Sequence, residues 1–153
     1  MFEYRESVPA DVPAMALIRA AEWGAKEDWV RRIHGYMAGE VFPQKALAPR
    51  AFFSALRQAE LVGFIAGHLT RRFGCAGELE WINVDAACRG SEVASKLLAL
   101  LAQWFVQHGA LRICVNVTSD NVVARRFYSR HGARELKPGW MVWDDISAVL
   151  TPE

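Results

Sequence analysis

The sequence predicts an α/β (α+β) fold built on one mixed central sheet, and three observations carry that reading. The elements run strand, two helices, three strands, helix, strand, helix, strand, an order that mixes hairpins with helical crossovers. The stretch Leu79 to Leu101 reads as a buried strand, a tight loop of small residues and a long helix, and the other elements are arranged around it. A chain of 153 residues, 52% hydrophobic and 23% charged, fits one domain, 1–153, with a sizeable core.

Phe2 to Ser7 alternates as a first strand. Pro9, Asp11 and Pro13 open a helix with Asp11 at its N-cap, carrying Met15, Leu17, Ile18 and Ala21 and stopping near Trp23 or Gly24. Lys26 to Met37 is a second helix with Trp29, Val30, Ile33 and Tyr36, weakened by Gly35 and Gly39. Two prolines make Glu40 to Pro49 a loop. Ala51 to Arg57 and Leu61 to Thr70 are strands joined by a turn at Gln58 to Glu60, and Gly74 to Gly77 turns again. In the long helix Val93, Leu97, Leu100, Leu101 and Trp104 recur at the spacing of a face laid on a sheet. Lys96, Gln103 and Gln107 point away, and Gly109 sits at the C-terminal cap. Leu111, Ile113, Val115 and Val117 alternate with Arg112, Cys114 and Asn116 as a strand. Asp120 or Asn121 caps a helix bearing Val123, Ala124, Phe127 and Tyr128, closed by Gly132. Pro138-Gly139 turns the chain into a last strand, Trp140 to Trp143.

A net charge of +1 supplies no bulk field for nucleic acid or an anionic membrane, so neither is an expected partner. The arginine pairs at 31–32, 71–72 and 125–126 are scattered and read as solvated faces. Cys75, Cys88 and Cys114 are odd in number and lack metal-site or redox spacing, which suits reduced thiols. Neither they nor His34, His68, His108 and His131 are spaced as metal ligands, so no metal is expected. No apolar run reaches about 20 residues and no secretory signal is visible, and a cytoplasmic protein is expected.

A strand feeding a helix through a tight loop aims free backbone N–H groups at one point, and with the helix dipole they form an anion site. Arg89, Gly90 and Ser91 suit it as a cation, a residue allowing close backbone approach and a small hydroxyl. Arg89-Gly-Ser-Glu-Val-Ala94 resembles the acyl-CoA loop of the GNAT superfamily of N-acetyltransferases: Gln or Arg, two variable residues, Gly, one variable residue, Gly or Ala. Trp81-Ile-Asn-Val-Asp85 is similar to the family's fourth strand. Asn121-x-x-Ala124-x-x-Phe127-Tyr128-x-x-x-Gly132 is similar to its second conserved block. The resemblance spans Phe2 to about Ile146. It implies a mostly antiparallel sheet flanked by about four helices, with splayed fourth and fifth strands holding acetyl-CoA as co-substrate. One position departs: Glu92 stands where the family usually has Gly. A carboxylate there either repels a pyrophosphate and strains a left-handed backbone, or is a first-turn acid facing solvent.

Acetyl transfer to an amine needs a base, because an alkyl ammonium with a pKa near ~10.4 is almost all charged at neutral pH. It also needs donors for the oxyanion and an acid for the leaving thiolate. Glu78 and Glu80, two residues apart on a buried strand, are the base candidates, with an ion pair to arginine or exposure near Gly77 as the alternative role. The resemblance implies Glu78 before Glu80, acting directly or through water, or no fixed base. The resemblance implies oxyanion and pantetheine contacts from backbone around Ile82, Asn83 and Val84, and a phosphate cradle from Arg89, Gly90, Ser91, Glu92, Val93, Ala94 and Ser95. It also implies a contact of Asn121 with the cofactor arm or the acceptor, cofactor contacts by Phe127 and Tyr128, and Tyr128 as the acid, its other role being a core aromatic beside Phe127. The acceptor would be an amine of a small molecule or peptide. Trp23, Trp29, Tyr36, Phe42, Trp140 and Trp143 offer either an aromatic pocket for a cationic amine or core packing. Many family members pair, and the Trp-rich last strand offers a homodimer interface. The competing reading is a non-catalytic acyl-CoA-binding module of the same fold, with Glu92 marking a degraded loop.

Overall fold

A computed structural model of the chain describes residues 1–39 and 46–150. Its seven-stranded sheet has the order β1-β2-β3-β4-β5-β7-β6. In chain order these are β1 (Glu3–Glu6), β2 (Leu47–Arg57), β3 (Glu60–Leu69), β4 (Gly77–Val84), β5 (Ile113–Asn116), β6 (Arg134–Lys137) and β7 (Trp140–Trp143). The helices are α1 (Val12–Ala20), α2 (Lys26–Met37), α3 (Val93–Gln107) and α4 (Val122–Arg130). Every neighbouring pair is antiparallel except β4 with β5, as the α3 crossover between them requires.

Several elements differ from expectation, β5 among them, which starts at Ile113 rather than Leu111. The hairpin strand β6 was not foreseen, because Arg134-Glu-Leu-Lys137 has no apolar alternation and forms by pairing with β7 at the sheet's edge. It covers β7, so the Trp-rich strand offers no free edge to a second copy; the edge presents Arg134, Glu135 and Lys137. Strand β2 begins at Leu47 rather than Ala51, and residues 40–45 of the expected loop, Phe42 among them, lie outside the described residues.

Helices α1 and α2 cover one face of the sheet, where Met15, Ile33 and Tyr36 pack with Phe52, Phe64 and Trp81. Helix α3 covers the other through Val93, Leu97, Leu98, Leu101, Ala102 and Phe105. That face is turned from the expected one: Leu98 and Phe105 are buried, whereas Leu100 and Trp104 lie half-buried at its border. Gly67 of β3 allows the close contact, since a Cβ there would stand 3.0 Å from Leu101 Cδ1. Leu17 of α1 faces outward, at 60% exposure. In β5 the buried run is continuous (Ile113, Cys114, Val115) because helices or loops cover both faces of this interior strand. No helix among the described residues is long and apolar enough to cross a membrane.

Candidate active site

The parallel pairing of β4 and β5 lasts only from Gly77↔Ile113 to Leu79↔Val115. Beyond Leu79, β4 keeps β3 as its sole partner, and the two strands diverge. A β-bulge sits at the parting point: Ala66 faces Trp81 and Gly67 faces Leu79, leaving Glu80 as the extra residue. The gap opens into a cleft of about 1260 Å3 running from α1 and α2, past β4 and β5, to the start of α3 and to α4.

At the closed end of the gap, cross-strand pairing sets His68 opposite Glu78. His68 Nε2 lies 3.5 Å from Glu78 Oε1, and Nδ1 lies 3.8 Å from Glu80 Oε1. Tyr36 Oη is 2.5 Å from His68 Nδ1. Burial pushes the Tyr36 phenol up, so it keeps its proton for the contact with Nδ1, and Nε2 faces Glu78. Glu78 is buried, and Arg72 Nε stands 3.5 Å from its carboxylate. Glu80, also turned inward, has its pKa pushed up to about 7, first by burial and then by the charge of Glu78; Arg32, Arg19 and Arg72 pull the other way. His68, Glu78 and Glu80 each offer one ligand atom, all within 4.8 Å of one another, so this group could hold a cation. Spacing along the chain gave no hint of it, because strand pairing brings the residues together. Positive charge is already present at Glu78 in Arg72.

Tyr128 lines the opposite wall from α4, its ring held edge-on by Phe127 and Trp143, each 5.6 Å away between centroids. Burial raises its phenol pKa against the pull of Arg19. Asn121 Oδ1 accepts from Ala124 N at 3.2 Å and caps α4. Asn83 is buried, with its Oδ1 accepting from Arg19 Nη1 at 2.6 Å.

The loop before α3 turns through Gly90, at φ +80 with open space where a Cβ would be. Ser91 Oγ donates to the Cys88 carbonyl and accepts from Val93 N at 3.4 Å, so this hydroxyl staples the loop. Intrahelical bonding starts with Lys96 N to Glu92 O, which leaves the first-turn amides at the cleft without helical acceptors. Ser95 Oγ meets His131 Nε2 at 3.1 Å, tying α3 to the end of α4. Arg89 donates through Nε to the Val84 carbonyl at 3.3 Å and pairs with Glu22.

Most of the expected site residues therefore share one cleft: Glu78, Glu80, Ile82–Val84, Arg89–Ser91, Ala94, Ser95, Asn121, Phe127 and Tyr128 all line it. Val93 and Glu92 do not. Val93 is fully buried under the sheet. Glu92 has an ordinary right-handed backbone (φ −78, ψ 0) and an exposed side chain 3.7 Å from Lys96, so neither strain nor a loop-facing carboxylate arises. The arginine pairs expected on solvated faces divide: Arg32, Arg72 and Arg126 line the cleft, joined by Arg19, Arg89 and Arg130. Adjacent residues on helix or strand point different ways, so a doublet can place one member inward. Of the aromatic set, Trp143 and Tyr36 are core residues, whereas Trp23, Trp29 and Trp140 line the cleft with Trp81.

The family profile described as "Acetyltransferase (GNAT) family" matches residues 15–133. An uncharacterized N-acetyltransferase of Methanocaldococcus jannaschii is 31% identical over 93 residues, covering 60% of this chain and 58% of that relative, so the matched segment spans under two thirds of the relative's length. Among solved structures, the PaiA N-acetyltransferase of Thermoplasma acidophilum in complex with coenzyme A aligns at TM-score 0.68 and 16% identity, over 93% of this chain and 96% of that one. An acetyltransferase of Thermus thermophilus aligns at TM-score 0.71 and 21% identity, over 93% and 96%. An aminoglycoside 6'-N-acetyltransferase of Acinetobacter haemolyticus aligns at TM-score 0.73 and 18% identity, over 88% and 92%. With the parted strands, the loop feeding α3 and a profile match over residues 15–133, the chain belongs to the acetyltransferase (GNAT) family.

Proposed function

We propose that the chain moves an acetyl group from acetyl-CoA to a primary amine by direct attack in a ternary complex. Glu80 acts as the base and Tyr128 as the acid. The observation that carries this is the cleft itself, which brings a carboxylate with a pKa of about 7 and a protonated phenol into one gap between parted strands. The ammonium passes one proton to Glu80, and the freed nitrogen bonds to the thioester carbon. The carbon–sulfur bond breaks as the Tyr128 phenol protonates the departing thiolate, and the nitrogen's second proton restores the phenol while Glu80 releases its own to solvent. Backbone of Ile82, Asn83 and Val84, unpaired on the β5 side, supplies donors for the oxyanion and the pantetheine arm. The phosphates meet the first-turn amides of α3, the Gly90 backbone, Arg126 and Arg130.

Glu80 is preferred to Glu78 as base. Glu78 sits where β4 and β5 are still paired and already faces Arg72 and His68, whereas Glu80 occupies the bulge at the opening. A raised pKa also suits a group that must accept a proton near neutrality. The solvent-facing Glu92 removes the reason to regard the loop as degraded. The test is release of free thiol from acetyl-CoA with a panel of amines; no release with any amine, in a protein that also fails to bind CoA by calorimetry, would overturn the proposal.

A further inference from the structure

Trp23, Trp29, Trp81 and Trp140 line the cleft together with Glu80, and an aromatic wall suggests a cationic guest. Their faces are already taken by the chain's own guanidinium groups. Arg19 Cζ lies 5.1, 4.2 and 5.5 Å from the ring centroids of Trp23, Trp29 and Trp81. Arg32 lies 4.8 Å from Trp29, and Arg72 4.9 Å from Trp140. A polycationic acceptor entering here would meet like charge instead of open rings.

Arg72 faces Glu78 at 3.5 Å, but among the described residues the other two arginines, Arg19 and Arg32, have no ion-pair partner. Arg19's side-chain partner is the neutral amide of Asn83, and its Nε is buried without an acceptor. Burial and the neighbouring Arg32 together pull the Arg19 pKa down to about 10, which still leaves it charged. Six arginines (Arg19, Arg32, Arg72, Arg89, Arg126, Arg130) line the cleft against three glutamates (Glu22, Glu78, Glu80) on a chain of net charge +1. Arg89 holds Glu22, and Arg126 and Arg130 lie on α4. That leaves Arg19 and Arg32, stacked on the same Trp29 ring, as the cleft arginines without an ion pair beside Glu80.

We propose that the acceptor is an amine bearing its own carboxylate, of the amino-acid class, with its ammonium group at Glu80 and its carboxylate held by Arg19 and Arg32. The proposal rests on the acetyltransferase reading above. Such a molecule supplies the missing anion and delivers the amine to the base, whereas an uncharged amide or a polyamine supplies none.

The experiment measures thiol release from acetyl-CoA with free amino acids, the matching amino-acid amides, O-phosphoethanolamine, spermidine and an aminoglycoside. CoA binding by calorimetry accompanies it. The acids should exceed their amides in kcat/KM by at least about tenfold, the scale of one charge-assisted contact. Arg32→Gln should bring that ratio toward one through KM, with Arg32→Lys restoring part of it. Preference for spermidine, the aminoglycoside or the amides overturns the proposal and leaves the acetyltransferase reading intact, and preference for the phosphate ester overturns the carboxylate assignment. CoA binding without release from any amine overturns the proposal. Absence of both CoA binding and release overturns the acetyltransferase reading together with it.

Discussion

Replacing Glu80 with glutamine removes the proposed base while keeping its shape, and the fold should respond in the opposite direction to the chemistry. The carboxyl rises from an ordinary 4.5 to about 7 in the folded chain. At roughly 1.4 kcal/mol per pH unit, this makes the ionised form costlier in the fold than in water by on the order of 3 kcal/mol. Because the folded value is the higher one, the fold favours the protonated acid. The group's stabilising contribution is complete below pH 4.5 and is lost as pH rises through 7. Denaturant unfolding of Glu80→Gln and the parent should therefore agree near pH 4.5 and diverge above pH 7, the variant being the more stable by up to ~3 kcal/mol. Over the same range the parent's kcat/KM should climb to a plateau with a midpoint near 7, while the variant loses about a hundredfold or more and loses that midpoint. A stability gap that does not change with pH, or an undiminished rate in the variant, would refute the reasoning.

Tyr128→Phe should lower thiol release at neutral pH by roughly a hundredfold or more, while CoA affinity measured by calorimetry stays near the parent's. Glu22→Gln frees Arg89 from its partly exposed ion pair, and calorimetry should find CoA bound up to about fivefold more tightly, since such pairs are worth at most ~1 kcal/mol. Gly77→Ala would set a Cβ 2.5 Å from Phe105 Cε1 and 2.8 Å from Ile113 Cδ1, wedging apart β4, β5 and α3. Thermal and denaturant unfolding should register a loss of about 1–3 kcal/mol. Asn121→Ala removes the cap of α4 and should cost about 1 kcal/mol in the same assays.

Elements with a strong local pattern were legible. Lys26 to Met37 and Trp140 to Trp143 match α2 and β7 residue for residue, and the loop through Gly90 falls where the small residues put it. What was hidden depended on contacts between segments. Strand β6 is polar and exists through its pairing with β7. The long helix has apolar residues on more than one side, so its pattern fixed a helix but not which of Leu98, Leu100, Trp104 and Phe105 lie deepest. In the site, Glu78, Glu80 and Tyr128 could be named from spacing and resemblance. The links among them could not: His68 reaches Glu78 across β3 and β4, and Tyr36 reaches His68 from α2. The inward arginines were obscured for the same reason, since a doublet such as Arg71-Arg72 does not reveal which member a turn will aim at Trp140.

The proposed catalysis depends on one spatial arrangement, in which the loop leading into α3 holds a nucleotide thioester so that its sulfur reaches Tyr128 in the gap beside Glu80. A crystal structure with CoA and an amine-bearing acid measures this directly. Diphosphate is expected on the amides from Gly90 to Ser95, sulfur within hydrogen-bond reach of Tyr128 Oη, and the amine on the carboxylate of Glu80. A nucleotide seated elsewhere, or a sulfur remote from the phenol with the amine away from Glu80, would contradict it.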